Sequence, residues 1–121
     1  MTRPSFSPEE PVEVVLAGDG IGKDVALGVD GKRVRVLTAT ADGVFALAAR
    51  DGVEQVVVVD VDQYDVGLVH DLHTLFPTLR IIAIAASAEA RAAALRAGAK
   101  AALAGSVPDS EIARTIARLI R

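Results

Sequence analysis

The sequence predicts an α/β fold, a three-layer sandwich whose doubly wound parallel sheet carries helices on both faces, and three observations support that prediction. Short runs rich in β-branched residues recur five times, at Val12–Leu16, Arg33–Leu37, Gln55–Asp60, Arg80–Ala85 and, in an alanine-rich version, Ala99–Leu103. Two of these runs are apolar nearly throughout (Val56, Val57, Val58, Val59; Ile81, Ile82, Ala83, Ile84), the pattern of strands covered on both faces in a parallel sheet. The intervals between the runs carry helical periodicity, and strand–helix alternation joined by right-handed crossovers builds a (βα)5 unit. One core suffices for 121 residues; with 51% of them apolar and only 3% aromatic, it is aliphatic, so helices can approach the sheet closely.

Taken in order, residues 1–11 hold three of the five prolines (Pro4, Pro8, Pro11) with Ser5, Ser7, Glu9 and Glu10, too little apolar surface to order a segment, and read as a disordered N-terminal tail ahead of a domain spanning 12–121. After the first strand, Gly20–Gly31 is short for a helix, and Val29-Asp30-Gly31-Lys32 also fits a type I′ hairpin turn; the reading adopted is a short or irregular helix over Ile21–Val29. The second helix is expected over about Asp42–Arg50, closing at Gly52. Leu68, Leu72, Leu75 and Phe76 share the face of a third helix that Pro77 ends. A fourth runs over about Ala88–Ala97 and stops at Gly98. The last starts at Pro108-Asp109-Ser110 and lays down a stripe of Ile112, Thr115, Ile116, Leu119 and Ile120, opposite Glu111, Arg114, Arg118 and Arg121.

Composition removes several classes of function. Thirteen basic and 16 acidic residues give a net charge of −3 with no basic field, which argues against nucleic-acid binding by this domain. The absence of cysteine rules out a disulfide framework and a thiolate metal site and fits a reducing, cytoplasmic setting. The apolar stretch Ile81–Ala86 falls far short of the roughly 20 residues that span a bilayer, so no membrane association is expected.

Motifs that invite an enzymatic reading fail on their spacing. Ala17-Gly18-Asp19-Gly20-Ile21-Gly22-Lys23-Asp24 follows a strand as a phosphate-binding loop would, yet Ala17 and Asp24 stand where a P-loop needs Gly and Ser or Thr, and Lys23 stands where a dinucleotide fingerprint needs its third Gly. His70 and His73 lie three apart on a helix, but without a third His or any Cys they read as solvated surface side chains. No catalytic triad and no paired acid and base is visible, so the chain is not expected to be an enzyme.

In a doubly wound sheet the ligand site lies beyond the C-terminal strand ends at the switch point, and two acids stand there: Asp19 after the first strand and Asp60 ending the third. The run Val56–Asp60 with Val61-Asp62, the Leu68–Phe76 helix with Pro77, Ile81–Ala85, Leu95-Arg96-Ala97-Gly98-Ala99 and the closing amphipathic helix together resemble the CheY-like receiver domain of two-component response regulators, over about Val12 to Arg121. Ala41-Asp42-Gly43 with Ala46-Leu47 looks most like receivers that precede a LuxR/NarL-type DNA-binding domain. The resemblance implies a CheY/flavodoxin-like strand order of 2-1-3-4-5.

It also implies that Asp60 matches the phospho-accepting aspartate and that Asp19 matches one of the acidic pair that holds Mg²⁺. The other member of that pair is Gly18, the family's Thr or Ser at the end of strand four falls on Ala85, and its Lys after strand five falls on Gly105, with Ser106 in place of the following proline. The switch aromatic of strand five is Ala102. A one-residue slip brings Ser87 nearer the hydroxyl position but leaves Lys100 five residues too early. The seven-residue step from Asp60 to Gly67 suggests a shortened loop. An aspartyl phosphate needs Mg²⁺, an ammonium and a hydroxyl to stabilise its charge, and two of the three are missing.

The expectation is therefore a degenerate or pseudo-receiver that requires no cofactor: a regulatory protein–protein interaction module acting without phosphorylation, as a homodimer through the face made by the fourth helix, fifth strand and last helix, and part of a transcription regulator. Two alternatives stay open: a phospho-accepting receiver using Asp60 with Mg²⁺, and a localisation domain of a MinD/ParA-type ATPase.

Overall fold

The computed structural model describes residues 12–18, 34–50 and 53–120. The tail 1–11, Asp19, the Ile21–Val29 helix with its hairpin alternative, Gly52 and Arg121 lie outside the described residues. Five strands, β1 (Val12–Ala17), β2 (Val34–Ala39), β3 (Gln55–Asp60), β4 (Arg80–Ile84) and β5 (Ala101–Leu103), form one parallel sheet in the order β2-β1-β3-β4-β5. The order and the parallel pairing match the sequence expectation.

The pleat sorts each strand's side chains to opposite faces. Val15, Ala17, Val57, Val59, Ile81 and Ala83 face one core, covered by α1 (Ala41–Ala48), α3 (Val66–Leu75) and α4 (Ala88–Ala97) through Val44, Leu68, Val69, Leu72 and Ala94. Val14, Leu16, Val56, Val58, Ile82 and Ile84 face the other, where α5 (Asp109–Leu119) and the residue after it contribute Ile112, Ala113, Ile116 and Ile120. The four valines of β3 are fully buried because both faces are covered, which is why that run lacks alternation. Each such side chain contributes about 1.5–3 kcal/mol relative to exposure.

Local chemistry sets the helix ends. Thr40 caps α1 by accepting the Gly43 N–H at 3.2 Å, so the helix starts at Ala41, one residue before the expected Asp42. Gly98 ends α4 with φ 124°, and a Cβ there would overlap the His73 ring, so the position excludes other residues on two grounds. Two expectations are corrected. A four-residue helix, α2 (Val61–Tyr64), follows β3 directly, too short to show any periodicity. Leu75 is 62% exposed, because Val69 joins the buried stripe of α3 and rotates it away from that side chain.

At the N-terminal ends of the strands one charge is buried. Glu13 on β1 is 2% exposed. Its carboxylate accepts from Gln55 Nε2 at 3.0 Å and pairs with Arg50 at 2.8 Å, with Arg35 at 3.7 Å beyond. Gln55 also donates to the Leu47 carbonyl at 2.8 Å, so this polar cluster ties β1 and β3 to the C-terminal end of α1. Burial of a carboxylate is tolerable only with such a set of partners.

Candidate functional site

Parallel pairing brings the C-terminal strand ends into one row. Ala17 pairs with Val59, which puts Gly18 beside Asp60, and Ile84 pairs with both Asp60 and Leu103. Asp60 leaves the sheet with φ −80° and ψ 96° to stand at the N-cap of α2, half-buried, but its side chain makes no capping bond. Among the described residues its carboxylate has no hydrogen-bond or ion-pair partner. Gly18 has φ 151°, a backbone setting that side-chain-bearing residues rarely adopt, which accounts for glycine where the resemblance asks for an acid.

The rest of the row is nearly devoid of functional side chains. Ala85 is fully buried, and its N–H donates to the Leu103 carbonyl at 3.0 Å, extending the β4–β5 pairing by one step. Gly105 lies against the next residue: a Cβ built on it would sit 3.9 Å from Ala86 N and Cα. The positions expected for a hydroxyl and an ammonium are therefore adjacent in space, and they hold a methyl group and a hydrogen. Ser87 lies two residues beyond Ala85 and is held to the next helix, its oxygen accepting the Ala90 N–H at 3.0 Å as the N-cap of α4. Lys100 donates its N–H to Ile81 O at the opposite end of β5 from Gly105. Ala102, in the middle of β5, is half-buried against the α4-side core.

Two residues that sequence reasoning passed over act here. Asp62 lies in the first turn of α2 and accepts the Ala86 N–H at 2.9 Å. Arg91 Nη1, one turn into α4, donates to the carbonyls of Ala85 and Ala86, each at 2.9 Å. Asp62 and Ala86 are 24 positions apart, and no local pattern signals such a contact. Asp65 then joins α2 to α3 at φ 75° and ψ 158°, held by its own carboxylate accepting Val66 N–H at 2.7 Å. The short span from Asp60 to Gly67 is thus a compact helix-and-kink that points Asp62 at β4.

Mg²⁺ asks for several oxygen ligands, usually including carboxylates. Among the described residues the strand ends offer it one uncommitted carboxylate, that of Asp60, because Gly18 has none and Asp62 is engaged; no cluster of three His, Cys, Asp or Glu side chains occurs there. The histidines form no site either. His70 is exposed, whereas His73, expected to be solvated, packs its ring against Gly98 and leaves Nδ1 buried without a partner. A cavity of about 560 Å³ lies at the other pole, where Arg50, Gln55, Phe76, Leu79 and Arg80 line it beside the first residues of β3 and β4. It is remote from Asp60 and holds none of the predicted site residues.

No protein-family model matches the chain, and no curated protein matches its sequence. Solved structures do. A LuxR family DNA-binding response regulator from Silicibacter pomeroyi aligns at TM-score 0.73 and 21% identity, over 90% of this chain and 91% of that one. A protein described as a response regulator, from Chloroflexus aurantiacus J-10-fl, gives 0.75 and 19% over 93% and 100%. One described as a pilus assembly protein, from Burkholderia thailandensis E264, gives 0.66 and 20% over 90% and 98%. The chain has the CheY-like receiver fold. No helix among the described residues is long and apolar enough to cross a membrane.

Proposed function

We propose that this domain is a pseudo-receiver: a cytoplasmic signalling module that keeps the receiver scaffold as a protein-binding platform and works without phosphorylation. The observation that carries the reading is the placement of Gly105 against Ala86, the residue after Ala85, at the end of the sheet. A phosphoryl group on Asp60 would spread its charge over oxygens that need a hydroxyl donor and an ammonium within hydrogen-bond reach. Neither side chain can supply one, and Arg91 of α4, the cation that reaches the turn among the described residues, is committed to two backbone carbonyls. Asp60 and Asp19 remain the candidates for a residual Mg²⁺ site, which would neutralise the strand ends without completing the chemistry.

The test is phosphorylation by acetyl phosphate with Mg²⁺, read by intact mass. The wild-type chain stays unmodified, and Ala85→Thr/Gly105→Lys gains an adduct that Asp60→Asn removes. The 3.9 Å clearance at the Gly105 Cβ position leaves room for the lysine; Ala85 is fully buried, so Ala85→Ser, one atom larger than alanine, is the companion variant should Ala85→Thr fail to fold. An adduct on wild-type Asp60 would sink the reading in favour of a working phospho-switch.

For output, the side formed by α4, β5 and α5 is the proposed homodimer face. β5 is an edge strand whose three residues are only half-buried, and Leu95 on α4 is 49% exposed beside it. A transcription regulator is the favoured whole protein, on the likeness to the LuxR family structure; the likeness to a pilus assembly protein supports a localisation domain as the second reading. Whether the native protein carries a DNA-binding domain or an ATPase domain separates the two.

A further inference from the structure

We propose that Asp62 is the resident anion of the Ala85–Ala86 turn and that, together with Arg91, it fixes the β4–α4 connection in one state independently of Asp60. The argument is a full account of that turn's backbone. Two residues present four polar groups, and all four are paired: Ala85 N–H on the Leu103 carbonyl at 3.0 Å, Ala86 N–H on Asp62 Oδ2 at 2.9 Å, and both carbonyls on Arg91 Nη1 at 2.9 Å. Sheet pairing explains the first of these; the other three depend on two charged side chains from different helices.

The arrangement has a direction. Arg91 is a cation facing oxygens and Asp62 an anion facing an N–H, so each contact is charge-assisted and both favour the same placement of the turn. Asp60 precedes Asp62 by two residues, and α2 carries the second carboxylate from the strand end across to β4. The Ala86 amide, two residues beyond the Ile84 that pairs with Asp60, is therefore already taken by a carboxylate of the chain itself. A covalently fixed ligand at that place is present at all times, which a signal-dependent one is not. The inference rests on the receiver reading only for the identity of the anion displaced; the contact itself stands on geometry.

Amide hydrogen exchange at Ala86, followed by NMR on the ¹⁵N-labelled chain, tests it, with the buried Val58 amide as control. Asp62 is exposed, so its replacement leaves the core intact. In Asp62→Ala the Ala86 amide exchanges about tenfold faster, the change expected for loss of one charge-assisted hydrogen bond, while Val58 is unchanged. Asp62→Asn, which keeps an acceptor of the same shape without the charge, falls between, and Asp60→Asn leaves Ala86 as in wild type. The inference is overturned if Ala86 exchanges equally fast in wild type and Asp62→Ala, or if Asp60→Asn releases it as fully as Asp62→Ala does. Labelling of wild-type Asp60 would end the pseudo-receiver reading and leave this result standing; an unprotected Ala86 would do the reverse.

Discussion

The two ends of the sheet treat carboxylates in opposite ways. At the N-terminal end Glu13 is buried and held by Gln55, Arg50 and Arg35. At the C-terminal end Asp60 is half-buried with no partner among the described residues, in a row of strand ends that also holds Gly18, Ala85 and Gly105. A charged group left without partners lowers stability unless something else retains it, so an unpaired acid at a switch point reads as the remnant of a ligand site, while a fully paired one reads as structure. The difference separates a candidate ligand pole from a structural one.

Breaking the structural pole should cost most. Glu13→Ala leaves Gln55 and Arg50 without their acceptor and is expected to destabilise the fold by about 2–3 kcal/mol in urea unfolding, the usual range for a buried pair discounted for the partial exposure of Arg50. Gly98→Ala, near the same pole, forces a side chain into a positive-φ position against His73 and should cost about 2 kcal/mol by the same assay. Asp60→Asn at the other pole removes a charge that holds nothing together and should change stability by less than about 0.5 kcal/mol in either direction. A loss above about 1 kcal/mol would mean that Asp60 has a structural partner and would dissolve the contrast. Leu95→Arg should leave stability within about 0.5 kcal/mol and shift the proposed homodimer to monomer in sedimentation velocity. An unchanged sedimentation coefficient would move the interface elsewhere.

Much of the fold was legible because it rests on period and punctuation. Val56–Val59 and Ile81–Ile84 marked the central strands, and Gly98 marked a helix end that the structure places at a φ only glycine accepts readily. The strand ends were legible too, since Asp60, Ala85 and Gly105 could be placed by position along the chain. What escaped was short or long-range. α2 has four residues, fewer than a helical stripe needs, and the Asp62 bond to Ala86 depends on the kink at Asp65, where an aspartate adopts φ 75°. Leu75 matched the apolar spacing of α3 and still faces solvent, because Val69 at the next position along the helix shifts the buried stripe. His73 looked like one of a surface pair, yet α4 ends against it.

The central claim is that this scaffold no longer converts charge at Asp60 into a change of its α4–β5–α5 face. Amide spectra recorded with Mg²⁺ and then beryllofluoride, which mimics an aspartyl phosphate, test it most directly. The account predicts that any shifts stay confined to the neighbourhood of Asp60, with Ala86 and the amides of α4 and α5 unmoved; shifts that spread from Asp60 through Ala86 into α4 and α5 would contradict it.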